Sequence, residues 1–334
     1  MSDFFTDLQL SDDLKRQATY LANRIAGDQS QHTLIEGLTA AITERDQNKV
    51  GLFLNQGLNE YGPIYPIAAL NRTWETITSV FEALGLSEET RLNTLSDIRL
   101  WIDHHRTTNN GESGLSRVFW VNRLITARII QFGRLQFEER SFPYHVTLYQ
   151  QDDHSYGALL NEGHRIDRAG YITNDEAATT RTSGEGEIID LETGAVFTHT
   201  KEKATILPLY KEGDQVIFVH IPALGPLEPA LVEQSLEMAV QFFGEKKLYI
   251  CTSWLLDPAL KIVVEETSNI WQFNQRFKKL PVCFDYPQIF ERVFDTNNVE
   301  DALAFEATST LQRNVQKALQ AGVTFRTMGG FFFR

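Results

Sequence analysis

The sequence predicts an α+β protein, a helical first part followed by a mixed β-sheet flanked by helices. Three observations carry this reading. Apolar residues recur at helical spacing through the first third. The spacing gives way to alternation in "GRLQFEE", which starts at Gly133. Beyond it, strand-like apolar runs are separated first by turn glycines and later by amphipathic helices. A chain of 334 residues is long for one core, so two domains are expected. We place the seam near residue 125, giving a helical domain over 1–125 and a sheet domain over 126–334.

The helices are legible from their spacing. "SDDLKRQATYLANRIAGD" opens on an acidic cap and spaces Leu14, Ala18, Leu21 and Ile25 on one face. "SQHTLIEGLTAAITE" and "IAALNRTWETITSVFEALG" follow the same logic. In "SEETRLNTLSDIRLWIDHHR", Ser87 starts the helix, and Leu92, Leu95 and Ile98 line one side. "TTNNGESG" then breaks the pattern as a loop. Val118, Val121, Ile125 and Ile129 extend a helix to about Ile130. His104 and His105 are consecutive on a helix and do not share a face, which argues against a metal site there.

In the second part, "GRLQFEE" reads as a half-buried strand with Leu135 and Phe137 pointing one way. "PYHVTLYQ" is another strand. "EGEIIDLETGAVFTHT" reads as a hairpin turning at Glu192 to Gly194, and its polar strands place it at the substrate side of the sheet. "ATILPLYKEGDQVIFVHIPA" reads as a second hairpin turning at Gly213 and Asp214. A helix from Pro229 to Phe243 presents Val232, Ser235, Leu236, Ala239 and Phe243, with Pro229 suited to the first turn. "KKLYICTSWLLD" is a strand, "PALKIVVEETSNIWQFNQRF" a helix, "LPVCF" a strand, and "VEDALAFEATSTLQRNVQKALQAG" a helix ending at Gly322. "VTFRTMGGFFF" closes the chain as a strand.

Composition narrows the function classes. With 42% hydrophobic and 22% charged residues, the chain is that of a globular protein rather than a disordered one. A formal charge of −13 argues against a nucleic-acid partner, which needs clustered Lys and Arg. No apolar run approaches a membrane span, and the acidic N-terminus lacks a signal-peptide layout. A cytoplasmic location is therefore expected. Cys251 and Cys283 match no metal-ligand spacing, and both are read as buried small hydrophobes. No metal is expected.

Several segments, taken together in order, carry a resemblance. They are "FGRLQFE" (132–138), "HIP" followed by "GPL" (220–227), Ser235 with Ala239 and "FF", "SWLLDPAL" (253–260), and "SNI" with Phe273 and Phe277. The series resembles a bacterial family of GNAT-like acyltransferases that joins a helical N-terminal domain to a GNAT-like C-terminal domain. The resemblance implies transfer of an acyl group from acetyl-CoA or another acyl-CoA, as co-substrate, to an amine or similar nucleophile on a small-molecule acceptor. It also implies that the turn between the strand ending at His220 and the helix from Pro229 holds the coenzyme pyrophosphate.

That turn offers the main-chain amides of Ala223, Leu224, Gly225 and Leu227. Pro222, Pro226 and Pro229 donate nothing, Glu228 adds a negative charge, and the usual Gln or Arg with spaced glycines is absent. A rigid structural turn is the other reading of the same residues. His220 is the candidate base by position, against a core-edge histidine bonded to a backbone carbonyl. The resemblance implies a tyrosine acid after the fifth strand. The matching helix has none, which leaves Ser253, or Tyr249, as the acid candidate. Glu138 and Glu139 border the first strand and could face the cleft, although solvated surface carboxylates are commoner. A hydrolase built on Cys251 and His220 has nothing beside the thiol to activate it. The alternative to an acyltransferase is a non-catalytic ligand-binding or regulatory protein on a GNAT-like frame.

Overall fold

The computed structural model describes residues 3–151, 153–201, 206–283 and 287–334. Ala204 and Thr205 of the run read as a second hairpin, and Phe284 of the run read as a strand, lie outside them. The chain divides into two compact units. One holds the residues up to Glu138 together with His220–Ala223, and the other holds Glu139–Val219 with Leu224–Arg334.

The first unit is built from α1 (Phe4–Asp7), α2 (Asp12–Arg24), α3 (Gln29–Thr43), α4 (Gln47–Tyr61), α5 (Tyr65–Arg72), α6 (Trp74–Ala83), α7 (Glu88–Thr108) and α8 (Val118–Ile125). A hairpin of β1 (Ile129–Phe132) and β2 (Leu135–Ser141) follows, and β2 carries the chain into the second unit. Side-chain caps start the helices where the sequence puts them: Ser11 accepts from the Leu14 amide and Ser87 from the Thr90 amide. Leu38, Ile42, Leu54, Ile67, Ile77, Phe81, Leu95 and Ile98 are at most 1% exposed. Each such side chain contributes about 1.5–3 kcal/mol of transfer free energy.

Two expectations need correction here, and one helix has no counterpart in the sequence reading. The helix read to Ile130 stops at Ile125, because Ala127 takes a left-handed φ of 48° and Ile129 and Ile130 pair in β1. The helix read as "IAALNRTWETITSVFEALG" is two, α5 and α6, meeting at Thr73. α4 escaped the pattern because its inner face includes Gly51 and Gly57. Gly57 lies under the Tyr65 ring, where a Cβ would collide.

The second unit contains β3 (Val146–Gln150), β4 (Tyr156–Leu160), β5 (Arg165–Ile166), β6 (Arg181–Thr182), β7 (Glu187–Ile189), β8 (Val196–Thr200), β9 (Pro208–Tyr210) and β10 (Gln215–His220), the last of which ends on His220 of the first unit. After them come α9 (Pro229–Phe243), β11 (Leu248–Ser253), α10 (Asn269–Asn274), β12 (Lys278–Leu280), α11 (Gln288–Phe294), α12 (Val299–Ala304), α13 (Thr310–Gln320) and β13 (Met328–Phe333). One sheet runs β10, β11, β13, β12, with β10 and β11 parallel and the later pairs antiparallel. A second sheet runs β8, β7, β4, β3, β9. A shared core joins Val216, Phe218, Leu248, Ile250 and Phe331 of the first sheet to Val146, Leu148, Ala158, Leu160, Ile189 and Val196 of the second. The β10–β11 ladder pairs Ile217 with Tyr249 and Phe218 with Ile250, then stops, which leaves Cys251–Ser253 unpaired on that side.

The expected hairpin at Glu192 to Gly194 forms, as β7 and β8. It is not confined to a polar surface, since Ile189 and Val196 are core residues. The second expected hairpin does not form. The turn at Gly213 exists, but β9 pairs with β3 while β10 pairs with β11, so the turn passes the chain from one sheet to the other. The helix read over 258–277 is a 3₁₀ turn over Pro258–Ile262 followed by the separate, Ser268-capped α10. The late helix is likewise two, α12 and α13, the second opened by the Ser309–Gln312 capping box. The strand read as "LPVCF" ends at Leu280, before Pro281, and Cys283 is exposed rather than buried.

Candidate active site

A polar cluster sits inside the first unit, where three elements and the segment at His220 meet. α8 places Trp120 and Arg123 three residues apart on one side of the helix. β2 turns Gln136 and Glu138 to one face and Leu135 and Phe137 to the other. All four are buried, so the expected half-exposed strand is enclosed on both faces. The polar face meets other polar groups rather than water. α7 contributes Asp97, also buried.

Glu138 is the hub. It is 4% exposed, not the solvated carboxylate that its acidic neighbourhood suggested. Its Oε1 accepts from Arg123 Nε at 3.1 Å, and its Oε2 accepts from the Arg123 guanidinium and from His220 Nε2 at 3.0 Å. Burial pushes its pKa up, but the His220 bond and the Arg123 charge outweigh burial and hold it below the ordinary glutamate value. It is therefore an anion at neutral pH. An ionised carboxylate only accepts, so His220 presents an N–H to it on Nε2. The partner of Nε2 is a carboxylate rather than a backbone carbonyl.

Trp120 completes the cluster. Its ring meets His220 edge-on, with centroids 5.3 Å apart and planes at 85°. Its indole Nε1 donates to Asp97 Oδ2 at 2.7 Å, and the Arg123 guanidinium lies 4.9 Å over its ring. Burial raises the Asp97 pKa, and the indole bond offsets part of that rise. Asp97, Trp120 and Arg123 were not picked out from sequence. The only signal was a Trp and an Arg at helical spacing on an otherwise apolar helix.

In the second unit, Gly225 has a left-handed φ of 43°, and a Cβ there would meet no heavy atom within 4 Å. Glu228 precedes α9 without making a side-chain cap bond, and Pro229 opens the helix. Ala223 is exposed, Leu224 half-buried and Leu227 buried. Ser253 is buried, and its Oγ accepts from the Leu255 amide at 3.1 Å. Tyr249 stacks on Phe332 with centroids 5.3 Å apart, fully buried, with burial raising its pKa to about 12. It is a core aromatic. Burial likewise lifts Cys251 to about 12, which leaves an inert thiol. The His105 ring bonds Ser116 Oγ at 2.9 Å, and among the described residues no acidic, histidine or cysteine cluster could hold a metal.

The profile of the GNAT-like C-terminal domain matches residues 129–332, and that of the N-acyltransferase N-terminal domain matches residues 1–127. The chain belongs to this GNAT-like acyltransferase family. Solved structures agree in fold with these GNAT-like relatives. A mutant acyltransferase in complex with octanoyl-CoA superposes with a TM-score of 0.60 at 18% identity, covering 98% of this chain and 86% of that one. An acyltransferase in complex with decanoyl-CoA and teicoplanin gives 0.51 at 19% identity, and one with decanoyl-CoA alone gives 0.51 at 21%. In both of these the match covers 80% of this chain and 65% of the other, so the chain spans just under two thirds of their length. No curated protein matches the chain. The α+β class and the GNAT-like character expected from sequence both hold for this family member.

Proposed function

We propose that the chain transfers an acyl group from an acyl-CoA thioester to an amine or similar nucleophile on a small-molecule acceptor. The observation that carries this is the His220–Glu138–Arg123 arrangement in a member of the GNAT-like acyltransferase family. The acceptor nitrogen attacks the thioester carbonyl, a C–N bond forms and the C–S bond breaks. His220 takes the proton released by the nitrogen. Glu138 fixes the tautomer and steadies the imidazolium that results. Ser253 donates a hydrogen bond to the departing thiolate, which takes its proton from solvent as the imidazolium returns one. The amides of Ala223, Leu224, Gly225 and Leu227 hold the pyrophosphate. Structural neighbours solved with decanoyl-CoA and octanoyl-CoA support the choice of co-substrate, and the one solved with teicoplanin supports a small-molecule acceptor. No helix among the described residues is long and apolar enough to cross a membrane. We place the reaction in the cytoplasm.

The test is release of free thiol from acetyl-, octanoyl- and decanoyl-CoA against a panel of amines. Wild type releases thiol, and His220→Asn loses at least 10²-fold in rate while still binding the acyl-CoA. Thermal shift with the same thioesters separates the alternative. A ligand at about 100 times its Kd adds roughly 2.7 kcal/mol of stability. A shift without thiol release from any amine marks a binding protein. No shift with any acyl-CoA removes the coenzyme altogether.

A further inference from the structure

An open cleft lies in the second unit, lined by Glu266, Trp271, Gln272, Gln275 and Arg276, with a volume of about 450 Å³. We propose that it takes the adenosine 3′-phosphate end of the acyl-CoA, with the purine against Trp271 and the phosphate on Arg276. The proposal rests on the acyl-CoA reading above and adds to it the site that selects the nucleotide end. The volume falls in the range of ordinary small-molecule sites.

The lining supplies each recognition element a nucleotide needs. Trp271 is half-buried, one side packed against the apolar cluster beneath α11–α13, and offers a flat surface for a base. The amide nitrogen of Gln272 donates to the Thr267 carbonyl at 2.9 Å, and that of Gln275 to Asn274 Oδ1 at 3.1 Å. Both glutamines thus spend a donor on the protein, which leaves their carboxamide oxygens as acceptors. The Glu266 carboxylate is a further acceptor. An acceptor-rich rim suits the exocyclic amine of adenine and disfavours the carbonyl that guanine carries at the same position.

Arg276 supplies the charge. Its Nη1 donates to Glu233 Oε2 at 2.8 Å, and its Nη2 reaches the Pro229 carbonyl at 3.5 Å. Arg334 pairs with the same Glu233. Burial pushes the Glu233 pKa up, but the two arginines outweigh it and keep Glu233 ionised. Two guanidiniums on one carboxylate give the Arg276–Glu233–Arg334 group one net positive charge, beside the Glu266 carboxylate of the same lining, in a chain whose formal charge is −13. Pro229 is the first residue of α9, so Arg276 touches the helical turn that follows Gly225–Leu227. An extended ligand with its pyrophosphate at that turn lays its nucleoside end toward this cleft.

Calorimetric titration of CoA, 3′-dephospho-CoA, adenosine 3′,5′-bisphosphate and guanosine 3′,5′-bisphosphate tests the assignment. Wild type binds CoA about tenfold or more tighter than 3′-dephospho-CoA, the gain expected for a charged hydrogen bond to phosphate. It also prefers the adenosine to the guanosine bisphosphate. Arg276→Gln erases the 3′-phosphate preference, while its melting curve shows an intact fold because Glu233 keeps Arg334. Equal wild-type affinity for CoA and 3′-dephospho-CoA, or an undiminished preference in Arg276→Gln, overturns the cleft and leaves acyl transfer standing. No binding by any CoA species overturns both.

Discussion

Glu138 and Asp97 are both buried carboxylates, yet their environments set opposite expectations. Glu138→Gln removes the partner of a guanidinium that is itself only 6% exposed. Breaking a buried pair from one side costs about 3–5 kcal/mol, and urea unfolding at pH 7 should show a loss of that order. The folded pKa of Glu138 is depressed, so its contribution is complete well above the ordinary value of 4.5 and is lost as pH falls through the folded value. The gap between wild type and Glu138→Gln should therefore narrow in acid. Asp97 has a raised pKa, so its contribution is lost as pH rises from the ordinary value through the folded one. Asp97→Asn keeps an oxygen for the Trp120 indole and removes that loss. Its stability at pH 7 should match wild type or exceed it by up to about 1 kcal/mol. A large destabilisation would mean that the Asp97 charge is needed.

At the scale of elements, the turn before α9 and the β7–β8 hairpin give separable predictions. Gly225 has a φ of 43°, which costs a residue with a Cβ about 1–2 kcal/mol. Gly225→Ala should lower the melting temperature slightly, and Gly225→Trp should abolish acyl-CoA binding as well, by filling the open space above the turn. Glu228→Gln should tighten acyl-CoA binding by the worth of one charge at an exposed helix start, about 0.3–1 kcal/mol. Calorimetry on the two variants checks both signs. In the hairpin, Ile189→Ala should cost about 2–5 kcal/mol because Ile189 is a core residue. An exposed change such as Thr198→Ala should cost under 0.5 kcal/mol. These elements also show what the sequence made legible. Caps and periodicity located α2, α3, α7 and α9, because local chemistry starts and stops them, whereas the last strand begins at Met328 rather than Val323. β9 and β10 looked like one hairpin because a tight turn has the same residues whether its strands share a sheet or not. The candidate site followed the same division. His220 and Glu138 could be nominated from position, but their pairing spans 82 residues of chain and left no local trace. Trp120, Arg123 and Asp97 join it only through tertiary packing.

For the whole molecule, the decisive quantity is the competition between net charge and local charge. A chain at −13 repels an acyl-CoA, itself polyanionic, at any distance the solvent does not screen. The screening length is about 30 Å at 0.01 M salt and about 8 Å at 0.15 M. Repulsion by the whole protein therefore reaches an approaching ligand at low salt and is largely gone at the higher concentration. The Arg276–Glu233–Arg334 group acts only at contact range. The association rate measured by stopped flow should thus rise several-fold between 0.01 M and 0.15 M salt. The dissociation rate should rise too, because the same salt weakens the contact with Arg276. The affinity changes by less than either rate. Arg276→Gln should keep the salt dependence of association and lose that of dissociation. If association slows with added salt instead, the local cations steer the ligand and the net charge of the chain is a bystander.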